Sequence, residues 1–96
     1  MPIIEVFTNV KSADTKDLSL KVANLSTQLL SKPVGYMMVN VTIQEGLTFG
    51  GTDAPAALVK VGCIGNVGGS LNAPIVASLN DLVSKELNVS GTRIFV

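Results

Sequence analysis

The hydrophobic and polar positions of this chain fall into four main alternating or apolar runs, a shorter edge run and two helical stripes. Pro2 to Thr8 is apolar-rich and β-branched with Glu5 as its only charge, which predicts a strand. Proline can open a strand because no ladder donor is needed there. Asn9 to Ala13 reads as a loop. From Asp14 the pattern turns helical: Leu18, Val22, Leu25 and Leu29 step by four, three and four, Ala23 and Leu30 widen the face, and Asp14 and Asp17 put acidic charge at its start. Pro33 ends this helix, since the residue before a proline is pushed out of the α region. Lys32 is thereby placed at a sharp exit leading into the next strand.

Tyr36 to Gln44 predicts that strand, with Tyr36, Met38, Asn40 and Thr42 on one face and Met37, Val39, Val41 and Ile43 on the other, covered one. Leu47 to Gly51 predicts a short edge strand before a Gly50-Gly51 turn that continues through Asp53-Ala54-Pro55. Ala56 to Ile64 is a further strand, interrupted by Lys60 and Gly62. A glycine-rich turn from Gly65 to Ser70 follows. The second helix carries Ile75, Leu79, Leu82 and Leu87 on one face with Val76 and Val83 beside them, Asn72 or Ala73 near its cap and Pro74 in the first turn. Ser90-Gly91 ends it, and Thr92 to Val96 is a last short strand.

The order is therefore β-α-β, a hairpin-like excursion, and β-α-β again. The offsets from Pro2 to Tyr36 and from Ala57 to Thr92 are equal to within one residue, which implies internal pseudo-twofold symmetry. Right-handed crossovers place both helices on one face of a four-stranded sheet, an α/β (α+β) fold over residues 1–96 as a single domain. The other sheet face is expected to be apolar and bare, a physical reason for subunits to pack through their sheets.

Composition adds weight to that expectation. Charged residues make up 15% of the chain against the usual quarter or so, and apolar residues reach 47%. A chain of 96 residues has too much surface to hide so many apolar side chains easily, and an oligomer interface is the simplest outlet. Net charge is zero and the basic residues are scattered, so neither nucleic acid nor a membrane surface is an expected partner. Cys63 is the only cysteine and there is no histidine, so neither an intrachain disulfide nor a structural zinc site is expected. No cofactor is expected: the glycine-rich turn has Cys63 where a dinucleotide fingerprint needs glycine, and it lacks the Gly-Lys-Ser/Thr of a phosphate loop. With no secretory signal and no apolar run of spanning length, a soluble cytoplasmic location is expected.

Five pieces now line up. Met1-Pro2, Lys32-Pro33 followed by Tyr36, Phe49-Gly50-Gly51, Ile64-Gly65-Asn66-Val67-Gly68-Gly69 and Arg93-Ile94-Phe95-Val96 stand in the order and spacing that resembles the macrophage migration inhibitory factor family of the tautomerase superfamily. The resemblance covers essentially the whole chain. It implies a homotrimer whose three sheets wrap into a central barrel with helices outside, and active sites at subunit boundaries. It implies an enol–keto tautomerase acting on phenylpyruvate-like or dopachrome-like substrates. It also implies roles: Pro2 as general base once Met1 is removed, Lys32 as binder of the substrate carboxylate, the Ile64 backbone N–H as donor to a substrate oxygen, and Tyr36, Phe95 and Ile3 as walls of an aromatic pocket. Leaderless secretion would follow by analogy with the family.

That chemistry suits a proline. Tautomerisation moves one proton between an enol oxygen and the neighbouring carbon, and it needs a base near neutral pKa and a group to hold enolate charge. An α-amine titrates nearer neutrality than lysine, and burial beside a cation lowers it further. A retained Met1 would turn the nitrogen into an amide with no basic lone pair; proline as second residue normally permits removal. Three departures from the family bear on activity. Phe95 stands where relatives commonly have tyrosine, so a hydroxyl is lost. Ala56 and Val59 replace the Cys-x-x-Cys of some relatives, so no thiol–disulfide activity is expected. Val96 stands just before the family's asparagine donor, and an expectation of weak activity follows. Two other readings stay open at this point: a catalytically vestigial trimeric binding or signalling protein, and an unrelated ligand-sensing domain that dimerises through the sheet.

Overall fold

The computed structural model describes residues 3–62 and 72–96, and of Asn72, Ala73 and Phe95 the backbone only. Pro2, Cys63, Ile64 and the glycine-rich turn lie outside the described residues. The elements run β1 (Ile3–Thr8), α1 (Thr15–Leu30), β2 (Met38–Ile43), β3 (Ala57–Gly62), α2 (Asn72–Leu87) and β4 (Ile94–Phe95). The sheet order is β2-β1-β3-β4. β1 runs parallel to β2 and antiparallel to β3, and β3 runs parallel to β4. Two β-α-β halves thus meet at the central antiparallel β1–β3 pair, as the repeated offsets predict.

Asp14 caps α1: its carboxylate accepts the Asp17 backbone N–H at 3.0 Å, satisfying one of the unpaired donors of the first turn. The buried stripe of α1 is Leu18, Val22, Ser26 and Leu30. It differs from the expected face, because Leu25 and Leu29 only flank the core whereas Leu30 is a buried member of it. On α2 the buried residues are Ile75, Leu79, Val83 and Leu87. Leu82, expected on that face, instead shares with Leu25, Ser78, Asp81 and Lys85 a shallow groove where the two helices meet. Val76 is exposed. These stripes pack with Ile4, Val6, Ala57, Val59 and Ile94 into one core, so both helices lie on the same sheet face. Each fully buried Leu, Ile or Val contributes about 1.5–3 kcal/mol.

Both helices end alike. The residue after the last helical one is left-handed, Ser31 and Asn88, each with φ of 55°. A hydroxyl four positions earlier then reaches the carbonyl of the residue after it: Thr27 Oγ1 donates to Lys32, and Ser84 Oγ donates to Val89 at 2.6 Å. Helix α1 therefore stops before Pro33 exerts its effect. Proline instead starts a single 3-10 turn at Val34–Tyr36, closed by Tyr36 N–H to Pro33 O and Met37 N–H to Val34 O, both 3.0 Å. Tyr36 accordingly precedes β2 rather than belonging to it.

The expected edge strand at Leu47–Gly51 reduces to one antiparallel bridge, Phe49 with Thr52, around Gly50 and Gly51 at φ of 61° and 77°. Two positive φ angles in succession favour glycine at both positions. Side chains, not a ladder, hold the flanking loop. The Asn9 amide donates to the carbonyls of Leu47, Asp53 and Ala54 and accepts from Ala56 N–H. Arg93 donates to Pro55 and Ala54 and lies over the Phe49 ring, 5.3 Å from its centroid.

The sheet face away from the helices is mixed, not apolar as expected. Ile3, Phe7, Met38 and Leu58 share it with Glu5, Asn40, Thr42 and Lys60. Glu5 faces Asn40 on one neighbouring strand and Lys60 on the other, and the Lys60 ammonium sits 5.7 Å over the Phe7 ring. Alternation within each strand predicts this mixture, since the buried set on the opposite face takes most of the aliphatic residues.

Candidate functional site

Strand directions decide which candidate residues can meet. Because β1 is parallel to β2 and antiparallel to β3, the start of β1, the start of β2 and the end of β3 share one edge of the sheet. Ile3 pairs with Met38 on one side and Gly62 on the other. The chain reaches Met38 through Lys32, Pro33 and the 3-10 turn that carries Tyr36. It leaves Gly62 toward Ile64, and it enters Ile3 from Pro2. Pro2 and Ile64 lie outside the described residues, but their described neighbours Ile3 and Gly62 are register partners.

Two properties mark this edge. The first is exposed apolar surface: of the large hydrophobic residues exposed among the described residues, Ile3, Val34, Tyr36 and Met38 cluster here, Tyr36 at 63% and Met38 at 62%, while only Leu20 and Val76 lie elsewhere. Single exposed apolar side chains are ordinary, but a cluster marks a binding or contact surface. The second is an unmatched cation. Lys21 is bound by Glu86 and Asp17, Lys11 lies near Glu45, and Lys85 near Asp81. Lys60 sits on Phe7, and Arg93 is held by loop carbonyls. Lys16, Lys32, Lys60 and Arg93 have no charge partner among the described residues, and of these only Lys16 and Lys32 also have no ring or hydrogen-bond partner for the charged group; Lys16 is exposed and Lys32 is half-buried. A half-buried lysine with no charge partner among the described residues, a few positions along the chain from exposed apolar side chains, is suited to an anion carried on an apolar body.

Phe95 does not join that edge within one chain. Its backbone pairs with Leu58, which faces Phe7. Phe7 and Ile3 stand four residues apart on β1, about 13 Å at the usual strand rise. The backbone of Phe95 thus lies toward the opposite end of the sheet from Ile3. Thr27, Val34 and Met38 are site neighbours that sequence reasoning missed. Met38 was legible as a strand residue on the open face, whereas the hydroxyl of Thr27 gave no signal at all. Among the described residues no cluster of His, Cys, Asp or Glu could hold a metal ion, and no helix is long and apolar enough to cross a membrane.

The family model for macrophage migration inhibitory factor (MIF) matches residues 1–96. The chain belongs to the macrophage migration inhibitory factor family. A macrophage migration inhibitory factor homolog of Trichuris trichiura is 34% identical over 97 residues, covering 100% of this chain and 85% of the relative. The mouse macrophage migration inhibitory factor is 33% identical over 97 residues, covering 100% of this chain and 84% of its own. Among solved structures, the macrophage migration inhibitory factor of Trichinella spiralis superposes with a TM-score of 0.90 at 31% identity, over 97% of this chain and 83% of that one. That of Oncomelania hupensis gives 0.90 at 29% identity, over 98% of this chain and 69% of the other. The MIF-like, tautomerase-type fold is therefore shared over 97–98% of this chain. This removes the reading of an unrelated sensing domain.

Proposed function

We propose that this MIF-like protein is an enol–keto tautomerase that uses the amine of Pro2, freed by removal of Met1, as its general base. The substrate class is an arylpyruvate or a dopachrome-like compound: an aromatic ring with a carboxylate and an enolisable carbon. In the keto-to-enol direction the neutral amine takes a proton from the carbon beside the keto group. The electron pair moves onto the carbonyl oxygen, where the Ile64 backbone N–H holds the developing charge until the protonated amine returns its proton to that oxygen, directly or through water, and is again the neutral base. One proton changes place and nothing is oxidised. Lys32 holds the carboxylate and Tyr36 supplies an apolar wall for the ring.

The observation that carries this reading is the half-buried Lys32, without a charge partner among the described residues, on the segment that leads through exposed Val34 and Tyr36 to Met38, the register partner of exposed Ile3, where β1 and β2 start and β3 ends. The same geometry supports a proposal for the assembly. Phe95, too far along the sheet to serve its own chain, is supplied to this edge by a neighbouring copy in a homotrimer packed through its mixed sheet faces. Ketonisation of phenylpyruvate enol, followed by ultraviolet absorbance on protein whose mass shows Met1 removed, is the test. Pro2→Gly should lower turnover sharply; an unchanged rate removes Pro2 from the mechanism. Sedimentation should give the mass of three chains, and the mass of one or two would refute the assembly.

A further inference from the structure

The two helix ends share a device whose second occurrence explains the first. In α2, Ser84 Oγ donates to the carbonyl of Val89 across the left-handed Asn88, and the chain turns so that the Val89 side chain is buried in the core at 3% exposure. In α1, Thr27 Oγ1 donates to the carbonyl of Lys32 across the left-handed Ser31. The spacing is the same: hydroxyl, three residues to the last helical leucine, one left-handed residue, then the residue whose carbonyl is held. Val89 and Lys32 occupy equivalent places in the two halves. Where one half puts a valine into the core, the other puts a half-buried lysine that has no charge partner among the described residues.

A serine at positive φ is not held there by its own preference, because a Cβ disfavours the left-handed region. Something outside Ser31 must fix the exit. The Thr27 hydroxyl is that partner: it donates to a carbonyl beyond the helix end and so closes the ring from Thr27 to Lys32. Pro33 then fixes the following φ, so the root of the Lys32 side chain is constrained on both sides.

We infer that Thr27 is a positioning residue for substrate binding, setting where the Lys32 ammonium stands by holding the Lys32 carbonyl rather than by touching substrate. The inference rests on the reading of Lys32 as the carboxylate clamp. Loss of the hydroxyl then weakens ground-state and transition-state binding alike and leaves the proton-transfer step untouched, so KM rises while kcat holds.

The test uses Met1-free full-length protein and phenylpyruvate enol, with Thr27→Val, Thr27→Ala, Thr27→Ser, Lys32→Ala and Ser84→Ala side by side. Thr27→Val should raise KM about three- to tenfold, the scale of one lost hydrogen bond, with kcat within about twofold of wild type. Thr27→Ser, which keeps the donor, should restore the wild-type KM. Ser84→Ala, which removes the same cap from the other half, should lower stability without moving KM. Thr27→Ala, a better helix former, carries the test if the valine variant does not fold. A wild-type KM in the Thr27 variants alongside a raised KM in Lys32→Ala overturns the inference and leaves the clamp reading standing. A wild-type KM in Lys32→Ala, or no turnover in any sample, overturns both.

Discussion

Two buried hydroxyls face opposite fates, and deleting each should move stability in opposite directions. Thr8 is fully buried at the end of β1; its Oγ1 donates to Ala56 O at 2.8 Å and accepts from Val10 N–H at 3.1 Å. Valine has nearly the same shape but neither function. Thr8→Val strips a donor from the buried Ala56 carbonyl and an acceptor from a partly buried N–H. An unsatisfied buried group costs about 1–3 kcal/mol, and water reaches Val10 more easily than Ala56, so the net loss should be about 2 kcal/mol after the added methyl is credited. With an unfolding entropy of roughly 2.1 cal/mol/K per residue, that is a fall in Tm of about 10 °C. Ser26 is the opposite case, a hydroxyl buried on α1 with no hydrogen-bond partner among the described residues. Ser26→Ala removes the stranded group and improves helix propensity, so it should stabilise by about 1 kcal/mol. Urea denaturation at one fixed protein concentration reads both values and keeps assembly out of the comparison. A Thr8→Val variant as stable as wild type, or a Ser26→Ala variant that is clearly weaker, refutes the hydrogen-bond accounting.

Arg93 forks onto the carbonyls of Pro55 and Ala54 and lies over Phe49, and lysine can reproduce neither the fork nor the stack. Arg93→Lys should therefore cost about 1–2 kcal/mol in urea midpoints and speed proteolysis in the loop before β3. Lys21 is held charged by its hydrogen bonds to Glu86 and then Asp17, which raise its pKa above 10.5. A raised cation pKa gives stability present in full below the unfolded value and lost as pH climbs through the folded one. The stability gap between wild type and Lys21→Met should thus be flat across the neutral range and close only above pH 10.5; a gap that changes between pH 6 and 8 would contradict this assignment.

Much of the architecture was legible because each half repeats a strong local signal. Strand alternation around Ile4 and Val6, the Asp14 cap with Asp17 three residues on, and the four-residue steps from Leu18 to Val22 all carry their own period. What failed were the places where neighbours choose between equivalent options. Leu25 and Leu82 are as hydrophobic as Leu30 and Val83, but the line of contact between α1 and α2 leaves them flanking the core in a groove, which no single helix can reveal. Tyr36 looked like a strand residue until the left-handed Ser31 ended α1 early and Pro33 began a separate turn. The edge strand near Phe49 gave way to carbonyls claimed by Asn9 and Arg93, two side chains distant in sequence. At the candidate site the residue types were readable from spacing, whereas the lack of a charge partner for Lys32 among the described residues depends on where every other described charge lies.

The central claim is that the Pro2 nitrogen, as a free amine, is the base. Two preparations of the same chain, one with Met1 removed and one with Met1 retained, as verified by intact mass, differ by that residue and thereby in whether the proline nitrogen is an amine or an amide. Measured side by side on phenylpyruvate enol, the processed form should turn over at least about a hundredfold faster, the lower scale of a positioned general base. Equal rates from the two preparations would contradict the account.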